Sequence, residues 1–216
     1  MTIANKIQKL SIGIFILPVF TVVVSYIFSV QLNLVPSCIP FLDGCTSISR
    51  SGRYYPVNMF FKSFLFLSGF CMLGYWYYHY LFFKHKNKFI QLNVLCGVLS
   101  VFFLFLYLIF LGDNSVYYKF FRKIGIFIYL LFSVLSGLML SIIFYQHKKQ
   151  FHSKCVYLKL YLNLLLTSTG ILLFPFMIAK IENVSDLRNI ISWNYFFLIQ
   201  LNFLMSYFIW KSHPQT

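Results

Sequence analysis

Six long apolar blocks, each free of any carboxylate, leave this chain few folds to choose from. They run from about Leu10 to Val30, Val57 to Phe83, Phe89 to Leu111, Ile124 to Tyr145, Val156 to Ala179 and Ile190 to Trp210. As a helix, each block is long enough to cross ~30 Å of hydrocarbon. The blocks are apolar all round and lack the period-two polarity of an outer-membrane barrel strand. Lipid offers no water to an unpaired backbone group, so spans of this kind must be helices. The expectation is all-α: a polytopic membrane protein, residues 1–216 forming a single six-helix transmembrane domain.

Composition excludes the main alternatives. Apolar residues make up 60% and charged residues 10% of the 216. A soluble domain carries about 45–50% and about 25%. A chain this apolar does not stay disordered. The net charge of +14 suggests nucleic acid at first sight. The basic residues, however, sit between apolar blocks rather than on one polar face, so no nucleic-acid partner is expected. The first block is too long for the core of a signal peptide and has no A-x-A site after it.

Basic residues near the helix ends set the orientation. With the N-terminus inside, Lys6, Lys9, Lys84, Lys86, Lys88, Lys148, Lys149, Lys154, Lys159 and Lys211 are cytoplasmic. Arg50, Arg53, Lys62, Lys119, Arg122, Lys123, Lys180 and Arg188 are outside, ten against eight. All four acids (Asp43, Asp113, Glu182, Asp186) then fall outside and all five histidines inside. Both termini are expected in the cytoplasm. Which membrane this is stays open, as does use of the outer sequon Asn183-Val184-Ser185.

Residues 31–56 are the one long outer loop, and long ordered loops carry function more often than short connectors do. Cys38 and Cys45 lie seven apart around Pro40 and Gly44. In an oxidising outer compartment they are a disulfide candidate; with the opposite orientation they are free thiols. Cys71, Cys96 and Cys155 read as packing residues, and no ligand spacing for a metal occurs. The stretch Ser47, Ser49, Arg50, Ser51, Gly52, Arg53, Tyr54 combines hydroxyls, a glycine turn and two guanidinium groups. Arginine grips phosphate bidentately and hydroxyls add donors, so this segment is the candidate headgroup site for membrane phospholipid. The alternative reading is a solvated loop whose tyrosines join the aromatic belt and whose arginines snorkel.

The pattern Ser47-Ile48-Ser49-x-x-Gly52, then Pro56 and Phe60, is similar to the first-loop signature of a six-helix membrane family. That family includes the damage-regulated autophagy modulators, the fungal suppressor-of-four-kinase proteins and the post-GPI-attachment lipid remodelling proteins. Bacterial six-helix proteins look similar as well. The motif covers about 15 residues, and the long first loop agrees with it. Arg50 and Val57 stand where family members often carry acids. The resemblance implies a role in lipid organisation or remodelling.

Polar groups within the spans are few. Lys62 lies one and a half turns into the second span, where it can snorkel outward, and His79 lies in an inner aromatic run. Asn163, Thr167, Gln200 and Asn202 are the polar intramembrane candidates, as interhelical glue or as the lining of a solute path. Ser133, Gly137 and Ser141 form a small-residue stripe suited to close helix packing, within the bundle or between subunits. Pro18 and Pro175 are expected to kink their helices. No zincin, nucleophile-elbow or P-loop motif occurs. The expectation leans away from an enzyme and calls for no cofactor. It favours a protein that senses, organises or moves phospholipid. The alternatives are a small-solute transporter or channel, and a scaffold with a membrane-protein partner or homo-oligomer.

Overall fold

The computed structural model describes residues 2–112, 115–151, 153–178 and 185–212. Asp113, Lys180, Glu182 and the Asn183 of the sequon lie outside the described residues, as does the Pro175 side chain. The described residues form seven α-helices and no strand: α1 (Ile3–Gln31), α2 (Ile48–Ser51), α3 (Val57–Phe83), α4 (Ile90–Ile109), α5 (Val116–Gln146), α6 (Ser153–Ile178) and α7 (Ser185–Lys211). A 3-10 turn at Lys148–Gln150 joins α5 to α6. Six helices are long, and α2 is a single turn within the outer loop.

Each long helix packs against the next in the chain, and α7 returns to α1. The bundle is therefore a closed ring in sequence order, with α2 lying on α1 and α7. Within the described residues, α1, α3, α4, α5 and α6 are long and apolar enough to cross a membrane. The chain is built as a multi-pass membrane protein with an all-α bundle. The sixth long helix, α7, is not among these five. Asn194, Gln200 and Asn202 lower its hydropathy, and the latter two face inward.

Two helix ends differ from expectation for local reasons. The α5 helix starts at Val116, not near Ile124, because the Ser115 hydroxyl accepts from the Tyr118 N–H and caps it. The early start brings Lys119, Arg122 and Lys123 into the helix. The α1 helix starts at Ile3, with Thr2 as its cap, and continues through Pro18.

Alongside its apolar core, the bundle turns small polar residues inward and leaves many large apolar ones exposed. Ser11, Thr21, Ser25 and Ser29 of α1 are fully buried, while Ile16, Phe20, Val23, Ile27 and Phe28 are exposed. Likewise Asn93 and Ser100 of α4 are buried, and Leu92, Leu95, Val98 and Phe102 are exposed. A helix in lipid has no reason to hide leucine, and good reason to turn its few polar groups toward its neighbours.

Candidate functional site

The loop of residues 31–56 is tied down at several points. The Cys38 and Cys45 sulfurs lie at bonding distance, with Cα atoms 6.5 Å apart. The Tyr26 hydroxyl donates to the Cys38 carbonyl at 2.7 Å and accepts from its N–H at 3.0 Å. Asp43 accepts from the Ile39 N–H at 2.8 Å, which gives the carboxylate a turn-forming role. Gly44 has φ +66°, and its Cα faces the Asp186 backbone so closely that no side chain fits. The Asn189 amide donates to the Gly44 carbonyl at 2.7 Å, and the Trp193 indole donates to the Thr46 carbonyl at 2.9 Å. The start of α7 thus holds the loop over one end of the ring. Phe41 inserts beside Trp193 and Phe197, with ring centroids 5.2 and 4.9 Å away.

The candidate headgroup residues then divide. The Ser47 hydroxyl caps α2 by accepting from the Arg50 N–H at 3.2 Å. The Ser49 and Tyr107 hydroxyls bond to each other at 2.8 Å, which docks the turn on α4. Ser51 is buried; its hydroxyl donates to the Ile48 carbonyl, and its own carbonyl accepts from Ser29 at 2.6 Å. Gly52 backs onto the Phe61 ring with no room for a Cβ. All three serine hydroxyls therefore have partners within the fold. Tyr54 is half-buried.

The two arginines of the turn point different ways. Arg50 is exposed and lines an open cavity of about 420 Å³ with Val30, Asn33, Leu34, Val35, Pro36 and Ser37, at the C-terminal end of α1. Arg53 is half-buried, and its Nε–H is enclosed with no acceptor among the described residues. Leaving such a donor unmade costs about 1–3 kcal/mol. Arg53 lies within electrostatic reach of Tyr107 and of Arg122, which α5 turns inward to 7% exposure. Lys119 and Lys123 on the same helix remain exposed. The Lys62 ammonium donates to the Ile109 carbonyl at the end of α4.

A second polar centre lies inside the ring. The Lys159 ammonium donates to the Asn202 carbonyl at 2.9 Å and to the Asn202 side-chain oxygen. The Asn163 amide donates to the Asn202 Oδ1 at 2.9 Å and to the Ser141 hydroxyl at 2.8 Å, and Asn202 returns a bond to the Asn163 Oδ1. A Cβ on Gly137 would stand 2.5 and 2.6 Å from these two amides. The small-residue stripe of α5 therefore faces inward, against α6 and α7. Lys159 was assigned to the cytoplasmic edge; it is instead buried at 1% exposure, because the α6 backbone carries it past the first turn to face Asn202. Thr167 bonds back to the Asn163 carbonyl of its own helix at 2.7 Å, and Gln200 is buried apart from the network, its Oε1 without a donor among the described residues. Of the four intramembrane candidates, Asn163 and Asn202 meet side chain to side chain across two helices, and Thr167 reaches the Asn163 backbone.

His79 is likewise fully buried. Its Nδ1–H donates to the Tyr75 carbonyl at 2.9 Å, and its Nε2 accepts from the Trp210 indole at 3.1 Å. Both ring nitrogens are satisfied in the neutral form. The ring sits among Tyr75, Phe144 and Trp210, which makes it a core residue.

No family model, curated protein or solved structure matches the chain. The functional reading rests on geometry alone. One residue of interest escaped the sequence reading, Lys159, which looked like an ordinary interfacial cation. Helix phase turns it inward, as it does Arg122.

Proposed function

We propose that the chain is a six-span membrane protein that binds phospholipid headgroups at its outer face and so senses, organises or moves lipid. The observation that carries this is Arg50. It is an exposed guanidinium beside an open cavity at the outer end of α1, lined by Val30, Asn33, Leu34, Val35, Pro36 and Ser37 with more polar than apolar surface. That pairing suits a phospholipid headgroup, with its phosphate on the arginine and the rest of the headgroup against the polar lining. The disulfide-distance pair and the α7 contacts keep the cavity rim in place, which lowers the entropy lost on binding.

Counting α7 as the sixth span puts both termini on one side of the membrane. Four lysines lie over aromatic rings at the proposed inner end: Lys6 on Tyr78, Lys86 on Phe82, Lys148 on Tyr145 and Lys211 on Tyr207. Such a belt of lysine and aromatic residues suits a cytoplasmic interface. The first-loop resemblance to the six-helix lipid-remodelling family points the same way. The transporter reading has less support, because Asn163 and Asn202 bond to each other rather than line a path. The scaffold reading loses its stripe, which packs internally.

The test is native mass spectrometry of the protein released from nanodiscs. A phospholipid retained by the wild type should be lost in Arg50→Ala. Equal retention by both proteins would remove the headgroup assignment.

A further inference from the structure

We propose that the α3–α4 and α5–α6 turns together form one headgroup site for an anionic phospholipid carrying two phosphates, at the end of the ring where α1 begins and α7 finishes. The sequence puts lysine in both turns. Lys84, Lys86 and Lys88 lie in the first, Lys148 and Lys149 in the second, and Lys154 in the first turn of α6. The fold joins them. The Asn87 side-chain amide donates to the Gln146 Oε1 at 2.5 Å, and the Asn87 Oδ1 accepts from the Phe89 N–H at 2.8 Å where α4 begins. Behind this tie the Phe83 ring packs on His147 and Phe151, with centroids 5.5 and 6.4 Å away. Two basic segments, tied by residues 59 apart in the chain, thus become one surface.

The surface carries no counter-charge among the described residues. The two described carboxylates, Asp43 in the loop of residues 31–56 and Asp186 at the start of α7, lie at the opposite end of the ring. Lys84, Lys88, Lys149 and Lys154 are exposed and have no acceptor among the described residues. Aromatic rings position the other two. The Lys86 ammonium stands 3.8 Å from the centre of the Phe82 ring. The Lys148 ammonium donates to the Tyr157 hydroxyl at 3.0 Å and stands 4.7 Å from the centre of the Tyr145 ring. An ammonium has three donors, so both keep N–H groups for a ligand. Like charges gathered this way repel, and an anion between them reverses the sign of the interaction. One phosphate serves the lysines of one turn; a headgroup with two serves both. Exposed apolar side chains continue from this surface along the helices: Phe89 and Leu92 at α4, Ile142 and Tyr145 on α5, Tyr157 and Leu158 on α6. A soluble anion gains nothing from that border. A lipid lays its chains along it while its phosphates meet the lysines. The site rests on the membrane reading but not on the Arg50 cavity, which lies at the other end of α1.

The experiment is a lipid competition read by native mass spectrometry. Protein in a neutral detergent is offered diphosphatidylglycerol and phosphatidylglycerol at equal phosphate. The wild type should retain the two-phosphate lipid about tenfold over the other. The double variant Lys86→Gln, Lys148→Gln should lose this preference. Gln146→Ala keeps every charge and cuts the tie between the turns, so it should lose most of the preference too. The pair Lys9→Gln, Lys211→Gln removes the same charge from the same end, on α1 and α7, and should keep it. Arg50→Ala should keep it as well. All six positions are exposed or half-buried, and melting temperatures without lipid check that each variant is folded. No preference in the wild type overturns the site, as does a preference that survives in the Lys86 and Lys148 variant or in Gln146→Ala. Equal loss in the Lys9 and Lys211 variant reduces the effect to net charge and overturns it too. Lipid lost in Arg50→Ala alone overturns this site and leaves the cavity reading intact. A second arm follows thermal melting with pyrophosphate in place of lipid. Stabilisation as large as that by diphosphatidylglycerol gives the surface to a soluble anion and overturns the lipid assignment; a smaller response supports it.

Discussion

Lys159 and Asn202 show how one buried pair sets the cost of a substitution. Lysine brings three N–H donors into the ring, and Asn202 supplies two acceptors through its backbone and side chain. Removing the donor leaves Asn202 still bonded to Asn163; removing the acceptor strands an ammonium in a place without water. Breaking a buried polar pair on the side that leaves an uncompensated charge is the expensive direction. Asn202→Leu should therefore destabilise by about 3 kcal/mol or more, and Lys159→Met by about 1 kcal/mol or less. The double variant should recover much of the loss from Asn202→Leu. Thermal melts of the three proteins in one detergent check this, and equal losses for the two single variants would contradict it. Gly137 belongs to the same balance, since its missing Cβ is what lets the two amides meet. Gly137→Ala should cost about 1–3 kcal/mol through overpacking.

The outer loop is the element that most needs its tertiary partners. Its own turn chemistry is readable from the sequence, in the glycine at 44 and the serine cap at 47. Its docking is not, because Gly44 is held by Asn189 and Thr46 by Trp193, both more than a hundred residues later. Replacing Cys38 and Cys45 by serine should loosen residues 32–46 and cost the loop about 2–3 kcal/mol of ordering. The α2 turn, tied separately through Ser49 and Tyr107, should stay docked. Limited proteolysis checks the pattern: new cleavage should appear between 32 and 46, and none after Arg50 or Arg53. The same division explains the headgroup segment. Seven neighbouring residues looked like one site. A single turn of helix sends Arg50 toward α1 and Arg53 toward α4, and gives each serine a structural partner.

At the scale of the whole molecule, the closed ring makes α7 the helix on which the span count turns. It packs against α1 and α6, and it shares the Tyr75–Ser206 and His79–Trp210 hydrogen bonds with α3 across the ring. A helix with partners on several sides can carry Asn202 and Gln200 inside without facing lipid. Tags at the two termini should therefore report from the same side of the membrane in a protease-protection assay. Tags on opposite sides would leave α7 outside the bilayer. Hydropathy along the chain was enough to require an all-helical membrane bundle, because a backbone in lipid can satisfy itself in so few ways. Spacing made Cys38 and Cys45 a disulfide candidate on an oxidising side of the membrane, and the fold brings their sulfurs to bonding distance. Which polar residues face one another was decided only by the packing of the ring. Around a helix each residue turns by about 100°, so one position separates a lysine in solvent from Lys159 against Asn202. In a span that is apolar on every side, the sequence carries no stripe to set that phase. The neighbouring helices set it instead, by taking up the few polar groups that lipid will not.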